Sequence, residues 1–219
     1  MIFNLVKKDF LLAKKNLVYM IIFAVIAPIL IFSKLGISDF GSFISFLITI
    51  IFVEYILFNM VSMSENKYKG TALLCTTPYT RRRMIEAKYL FILVIFMGTF
   101  LLYNLAVAIG PSKGLERLTT FQIGISLMMV SILFGILIPI QLKIGFERTK
   151  YFSFFTIFLI PFIVPAIIEG FQSQGINLQM ELVQMLPIYV REWLPIGVSF
   201  VIGIISMKIS IRIFTAKNL

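Results

Sequence analysis

Histidine is absent from the 219 residues, and Cys75 is the one cysteine. The first absence removes the usual general base and the commonest metal ligand; the second makes a disulfide within the chain impossible. Most zinc, haem and iron–sulfur arrangements are left without ligands, and serine–histidine or cysteine–histidine nucleophilic chemistry is excluded on the same ground. Acidic residues are scarce as well: 10 Asp and Glu face 20 Lys and Arg, for a net charge of +10. The carboxylates are scattered over different segments, and no G-x-x-x-x-G-K-[ST] phosphate loop occurs. The chain is expected to be non-catalytic, with no metal or cofactor of its own.

What is present is apolar. The composition is 59% hydrophobic and 14% charged, with a mean hydropathy of +0.99, whereas soluble domains run at roughly 45 to 50% and roughly 25%. This is the composition of an all-α integral membrane protein. Six apolar runs are each long enough to cross about 30 Å of hydrocarbon as a helix. They lie near residues 17–33, 43–63, 89–109, 120–142, 152–168 and 193–211, and leave little for a separate soluble domain, so one transmembrane domain over 1–219 is expected. The lysine-flanked first run superficially resembles a secretory signal. No small-residue cleavage site follows it cleanly and more spans come after it, so it reads as a retained first span.

The loops alternate in charge. The start, 64–88, 143–151 and the end from Lys208 hold 16 Lys and Arg; the opposite side holds four, Lys34, Lys113, Arg117 and Arg191. That asymmetry predicts both termini in the cytoplasm, and it accounts for the net charge as insertion topology rather than nucleic-acid binding.

On a helical wheel the first sixteen residues place Lys7, Lys8, Lys14 and Lys15 on one side and Ile2, Phe3, Val6, Phe10 and Ala13 opposite. This predicts an amphipathic helix on the inner leaflet, with a plain topology signal as the alternative. Asp9 falls within the apolar side, which a pure lipid-surface helix would not favour, so it is expected to face a protein partner. Inside the second span stands one carboxylate, Glu54, in IIFVEYILFNM. At that depth it must be neutral or partnered, and Tyr55, Asn59 and Asn104 are candidate neighbours. It reads either as part of a structural hydrogen-bond network or as the lining of a transport path or gate.

The segment KGTALLCTTPYTRRRMIEAKYL, Lys69 to Leu90, is the least membrane-like stretch. Ser64, Glu65 and Asn66 offer capping side chains at the end of the second span, and Pro78 terminates the short apolar stretch that follows. Thr80 can cap a new helix that runs unbroken into the third span. From Arg81 to Ile109 that helix is about 43 Å long, more than hydrocarbon needs, so its first turns project beyond the membrane. The short piece with Leu73, Leu74 and the flanking Tyr68 and Tyr79 is shaped either for a partner's groove or for the headgroup layer.

The run SENKYKGTALLCTTPYTRRRMIEAKYL resembles the first cytoplasmic loop of ABC-2-type transporter permeases, where a glycine, an apolar stretch, an (S/T)-x-P-(apolar)-(S/T)-R turn and a basic helix start recur. PIQLKIGFERTKYFSFF resembles the loop between the fourth and fifth spans in one bacterial subgroup, which includes exporters of phenol-soluble modulins and antimicrobial peptides. The resemblance implies a coupling helix carried by Tyr68, Lys69, Gly70, Thr71, Leu73, Leu74, Thr77, Pro78, Tyr79, Thr80 and Arg81 that docks into an ATP-binding subunit. Tyr79 departs from the small aliphatic residue of the pattern. It further implies two permease chains, ATP and Mg bound by the partner, a bacterial plasma-membrane location, and outward movement of peptides, peptide-like antibiotics or amphipathic toxins.

On the outer side, INLQMELVQMLPIYVREWLP places Leu178, Leu182, Met185 and Leu186 near one helical face. This predicts a short amphipathic helix that gates the path or anchors at the interface beside Tyr189 and Trp193. Two other function classes stay open at this point: an ion-coupled transporter or channel centred on Glu54, and a membrane scaffold without a path.

Overall fold

A computed structural model of the chain describes residues 2–35, 41–68, 80–109, 114–151, 153–155, 158–159 and 187–216. Five long helices make up most of them: α1 Ile2–Leu35, α2 Gly41–Lys67, α3 Arg81–Ile109, α4 Thr120–Ile144 and α5 Ile188–Thr215. All five are long and apolar enough to cross a membrane. Helix is the form this composition requires, because a backbone in lipid must satisfy its own N–H and C=O groups. No strand occurs among the described residues.

Each helix overruns the apolar run that predicts it, because hydropathy marks hydrocarbon and not hydrogen bonding. α3 starts at Arg81, eight residues before the predicted span, and Thr80 caps it as expected: its Oγ1 accepts from Arg83 N at 3.4 Å and its carbonyl from Met84 N at 3.2 Å. α4 begins at a capping box, Thr119 and Gln122 exchanging side-chain and backbone bonds. It ends at Gly145, whose φ of +99° few other residues adopt. Helix resumes at once over 146–151, ahead of the predicted fifth span. Most of 152–168 lies outside the described residues.

The start of the chain departs from expectation. α1 is one uninterrupted helix of 34 residues, about 51 Å long, with no break between the sixteenth residue and the span. No proline or glycine precedes Pro28, so nothing stops the helix from propagating. Its buried face is Leu5, Val6, Asp9 and Ala13, against α2 and α3, while Phe3 is exposed.

α2 is the enclosed helix: 72% of its apolar stretch is buried, against 22 to 39% in the other four. On one side Val53, Leu57 and Val61 pack with Leu5 and Ala24 of α1 and Ile85, Phe91 and Ile95 of α3. On the other, Phe46, Ile50 and Phe58 meet Phe96 and Tyr103 of α3 and Val130, Phe134 and Ile138 of α4. The rings interlock edge to face, Phe58 on Phe134 at 5.5 Å and Phe46 on Tyr103 at 5.1 Å. α4 and α5 form the most extensive pair in the bundle. Small residues permit their close approach, Gly124 under Pro195 and Ile196 and Gly135 under Ser206. At this depth a shared polar node joins three helices: Tyr89 OH bonds Ser206 and Ser210, and Ser206 Oγ donates to Gly135 O at 2.5 Å.

Candidate functional site

The start of α1, the end of α2, the start of α3, the end of α4 and the end of α5 meet at one end of the bundle. These are the segments that carry the positive charge, so the sequence asymmetry corresponds to one physical end. At its centre is Glu65, one of the residues read as a helix cap. α2 instead continues past it to Lys67, and at three helical turns from Glu54 and one from Val61 Glu65 lies on the inward face. Its residue is 9% exposed, and its two oxygens take separate partners: Oε1 accepts from Lys8 Nζ at 2.6 Å and Oε2 from Lys88 Nζ at 2.5 Å.

Asp9 completes the set. It is 2% exposed, and its Oδ1 lies 2.8 Å from Lys8 Nζ as an ion pair rather than a well-directed hydrogen bond. Asp9 therefore faces its own chain rather than the protein partner expected of it, and Lys8, placed by the wheel on the charged side opposite the apolar residues, turns inward. Two positive and two negative groups balance, which is the arrangement buried charges need. Lys88 also stands 5.8 Å from the Phe58 ring.

The same end holds two further ties. Arg81 Nη1 donates to Phe214 O at 3.4 Å and Thr215 O at 3.1 Å, so a basic side chain closes the last carbonyls of α5. Asn66 Nδ2 donates to Glu147 Oε1 at 2.9 Å, and Glu147 Oε2 accepts from Lys150 at 2.6 Å, which pushes the Lys150 ammonium up from its ordinary value. Arg82 pairs with Glu86 on the exposed surface at 2.7 Å, an interaction worth little.

These ties frame the predicted docking segment. Tyr68, exposed and bonded through its N–H to Ser64 O, is the last described residue before it, and Thr80 and Arg81 are the first after it. Lys69, Gly70, Thr71, Leu73, Leu74, Thr77, Pro78 and Tyr79 lie outside the described residues, as do Leu178, Leu182, Met185 and Leu186 of the predicted outer helix.

Glu54 is where the sequence places it, within the bundle and 0% exposed, but neither carboxylate oxygen has a hydrogen-bond partner among the described residues. Its expected neighbours go elsewhere. Asn104 Nδ2 donates to Phe100 O one turn back at 2.9 Å, and Asn59 borders a small space with Phe58, Gln141, Phe146 and Thr149. Tyr55 and Asn59 sit on other faces of the same helix, 100° and 140° around the axis at 100° per residue.

A side cavity of about 260 Å³ lies between α3, α4 and α5. Leu93, Phe96, Phe134, Phe200, Ile204 and Met207 are among the residues that line it, together with Glu86 and Tyr89. No group of three or more metal-ligating side chains occurs among the described residues.

Neither a curated protein nor a solved structure matches the chain. A family model does: that of the ABC-2 family transporter protein matches residues 4–215, from the first turn of α1 to the last residue of α5. A multi-pass bundle with its positive charge gathered at one end, matched over nearly its whole length, establishes that the chain belongs to the ABC-2 transporter family, the membrane components of transporters that work with an ATP-binding subunit.

Proposed function

We propose that the chain is the permease subunit of an ATP-binding-cassette exporter, one transmembrane domain over 1–219 that crosses the bacterial plasma membrane six times with both termini in the cytoplasm. The ATP-binding subunit docks on the coupling segment Tyr68 to Arg81, with Leu73 and Leu74 filling its groove. ATP and Mg are held by that partner. Two permease chains, identical or related, enclose the path, surrounded by membrane lipid; their cargo is a peptide, a peptide-like antibiotic or an amphipathic toxin. The outer residues Leu178, Leu182, Met185 and Leu186 form a gate helix.

The observation that carries the docking assignment is the framing of 69–79. Its two flanks are fastened to α1, α3 and α5 by buried or charge-assisted bonds. A segment so held can pass a displacement on to the bundle, whereas a loose interfacial loop cannot. The apolar side cavity of about 260 Å³ supports a cargo with an apolar face.

Replacing Leu73 and Leu74 together by glutamate is expected to abolish co-purification of the ATP-binding subunit while the permease still inserts and extracts normally. Two charges placed in an apolar groove leave them desolvated without partners, enough to dissolve a small docking contact. A complex that survives both charges places the docking surface elsewhere.

A further inference from the structure

The four-charge set around Glu65 lies one helical turn ahead of the docking segment. One carboxylate reaches back 57 residues to Lys8 on α1 and forward 23 residues to Lys88 on α3. Four residues later the segment 69–79 starts. At its other flank the Arg81 guanidinium holds the α5 carbonyls, with the Phe214 ring 6.0 Å away. Glu65, the carboxylate at that end of α2, thus reaches α1 and α3, one oxygen to each.

Such a joint has two states rather than a continuum. A charge-assisted bond in a low-dielectric site is short and directional, and separating any one of these groups leaves the others buried with unbalanced charge. The helices therefore either move together or come apart abruptly. Apolar contacts alone, such as Val61 on Ile85, allow gradual sliding.

We propose that Glu65 is the positioning residue that makes α1 follow α2 and α3 when a partner displaces the segment 69–79. The proposal rests on the docking reading above. In it, Lys8–Glu65 ties α1 to the end of α2 from which the docking segment follows. The side chains that face Glu65 are Lys8 and Asp9 from α1 and Lys88 from α3, with Met84, Leu142 and Phe214 closing the small space around them; Ser62 and Asn66 on its own helix border the space on the other side.

The test uses the full chain in complex with its ATP-binding subunit. Nitroxides are placed at the exposed Lys7 on α1 and Lys67 on α2 in a Cys75→Ser background, and the distance is read by pulsed electron resonance with and without a non-hydrolysed ATP analogue. The unmodified joint should give the same distance in both states. Glu65→Gln should give a distance that changes with nucleotide. A role in stability alone lowers the melting temperature of Glu65→Gln without changing the nucleotide response. If Glu65→Gln does not fold, Lys8→Met, which keeps the Glu65–Lys88 pair, gives the same readout. An intact complex in which neither variant alters the distance overturns the proposal by itself. Failure of the unmodified chain to hold the ATP-binding subunit overturns the docking reading, and this proposal with it.

Discussion

Glu65→Leu is expected to lower stability by about 3 to 5 kcal/mol, the range for removing one partner from a buried ion pair. The substitution leaves Lys8 and Lys88 at a site where their side chains are 30% and 13% exposed, with Asp9 as the one remaining negative group. Like charges then face each other where two carboxylates had separated them. The loss is read as a fall in the thermal or detergent-unfolding midpoint of the purified chain. A companion variant in which Lys8, Asp9, Glu65 and Lys88 all become apolar residues of similar volume should recover most of that loss, because no charge is left to desolvate. If the single and the fourfold variants are equally damaged, shape rather than charge balance holds this end together.

The second large effect belongs to the α4–α5 pair. A Cβ on Gly124 would stand 3.0 Å from Pro195 Cβ and Ile196 Cγ1 and 3.2 Å from the Ile196 backbone nitrogen. Backbone cannot rotate out of the way as a side-chain tip can, so Gly124→Leu must push the helices apart. Overpacking of this kind costs about 1 to 3 kcal/mol, and here it also loosens the contacts around Ser126 and Ser199. Gly98 and Gly203 provide the control, since nothing lies within 4 Å of a Cβ at either position. Alanine at those two sites should leave stability unchanged or raise it by up to about 1 kcal/mol through helix propensity. Equal damage at all three positions would mean that backbone freedom, not helix contact, explains the glycines.

Five of the six predicted spans were the most legible part of this chain, because hydrocarbon imposes one requirement and hydropathy reports it directly. Thr80 was legible for a different reason: a hydroxyl residue ahead of an unbroken basic helix start has one effective use, as a cap. The Glu65 set was not legible. Its partners are separated by tens of residues, and a single sequence does not say which helices are neighbours. The signal was nevertheless present in the phase of α2, where Glu65 repeats the face of Glu54 and Val61 and so had to point inward if the helix continued one more turn. Reading Ser64 to Asn66 as a cap ended the helix too early and hid that phase. The split of α1 at its sixteenth residue failed similarly, since lysines mark an interface but do not stop a helix. For Glu54 the depth was legible and the partners were not, as residues near it in sequence lie on other faces of the same helix.

The central claim is that this permease meets an ATP-binding subunit through the segment between α2 and α3, on the side that carries the positive charge. Its most direct test is a photo-crosslinking residue placed at Leu74, and separately at Leu182, proposed for the opposite side, in the assembled complex in native membranes. The account predicts a crosslink from Leu74 to the ATP-binding subunit and none from Leu182. A crosslink from Leu182, or an intact complex that gives none from Leu74, would contradict it.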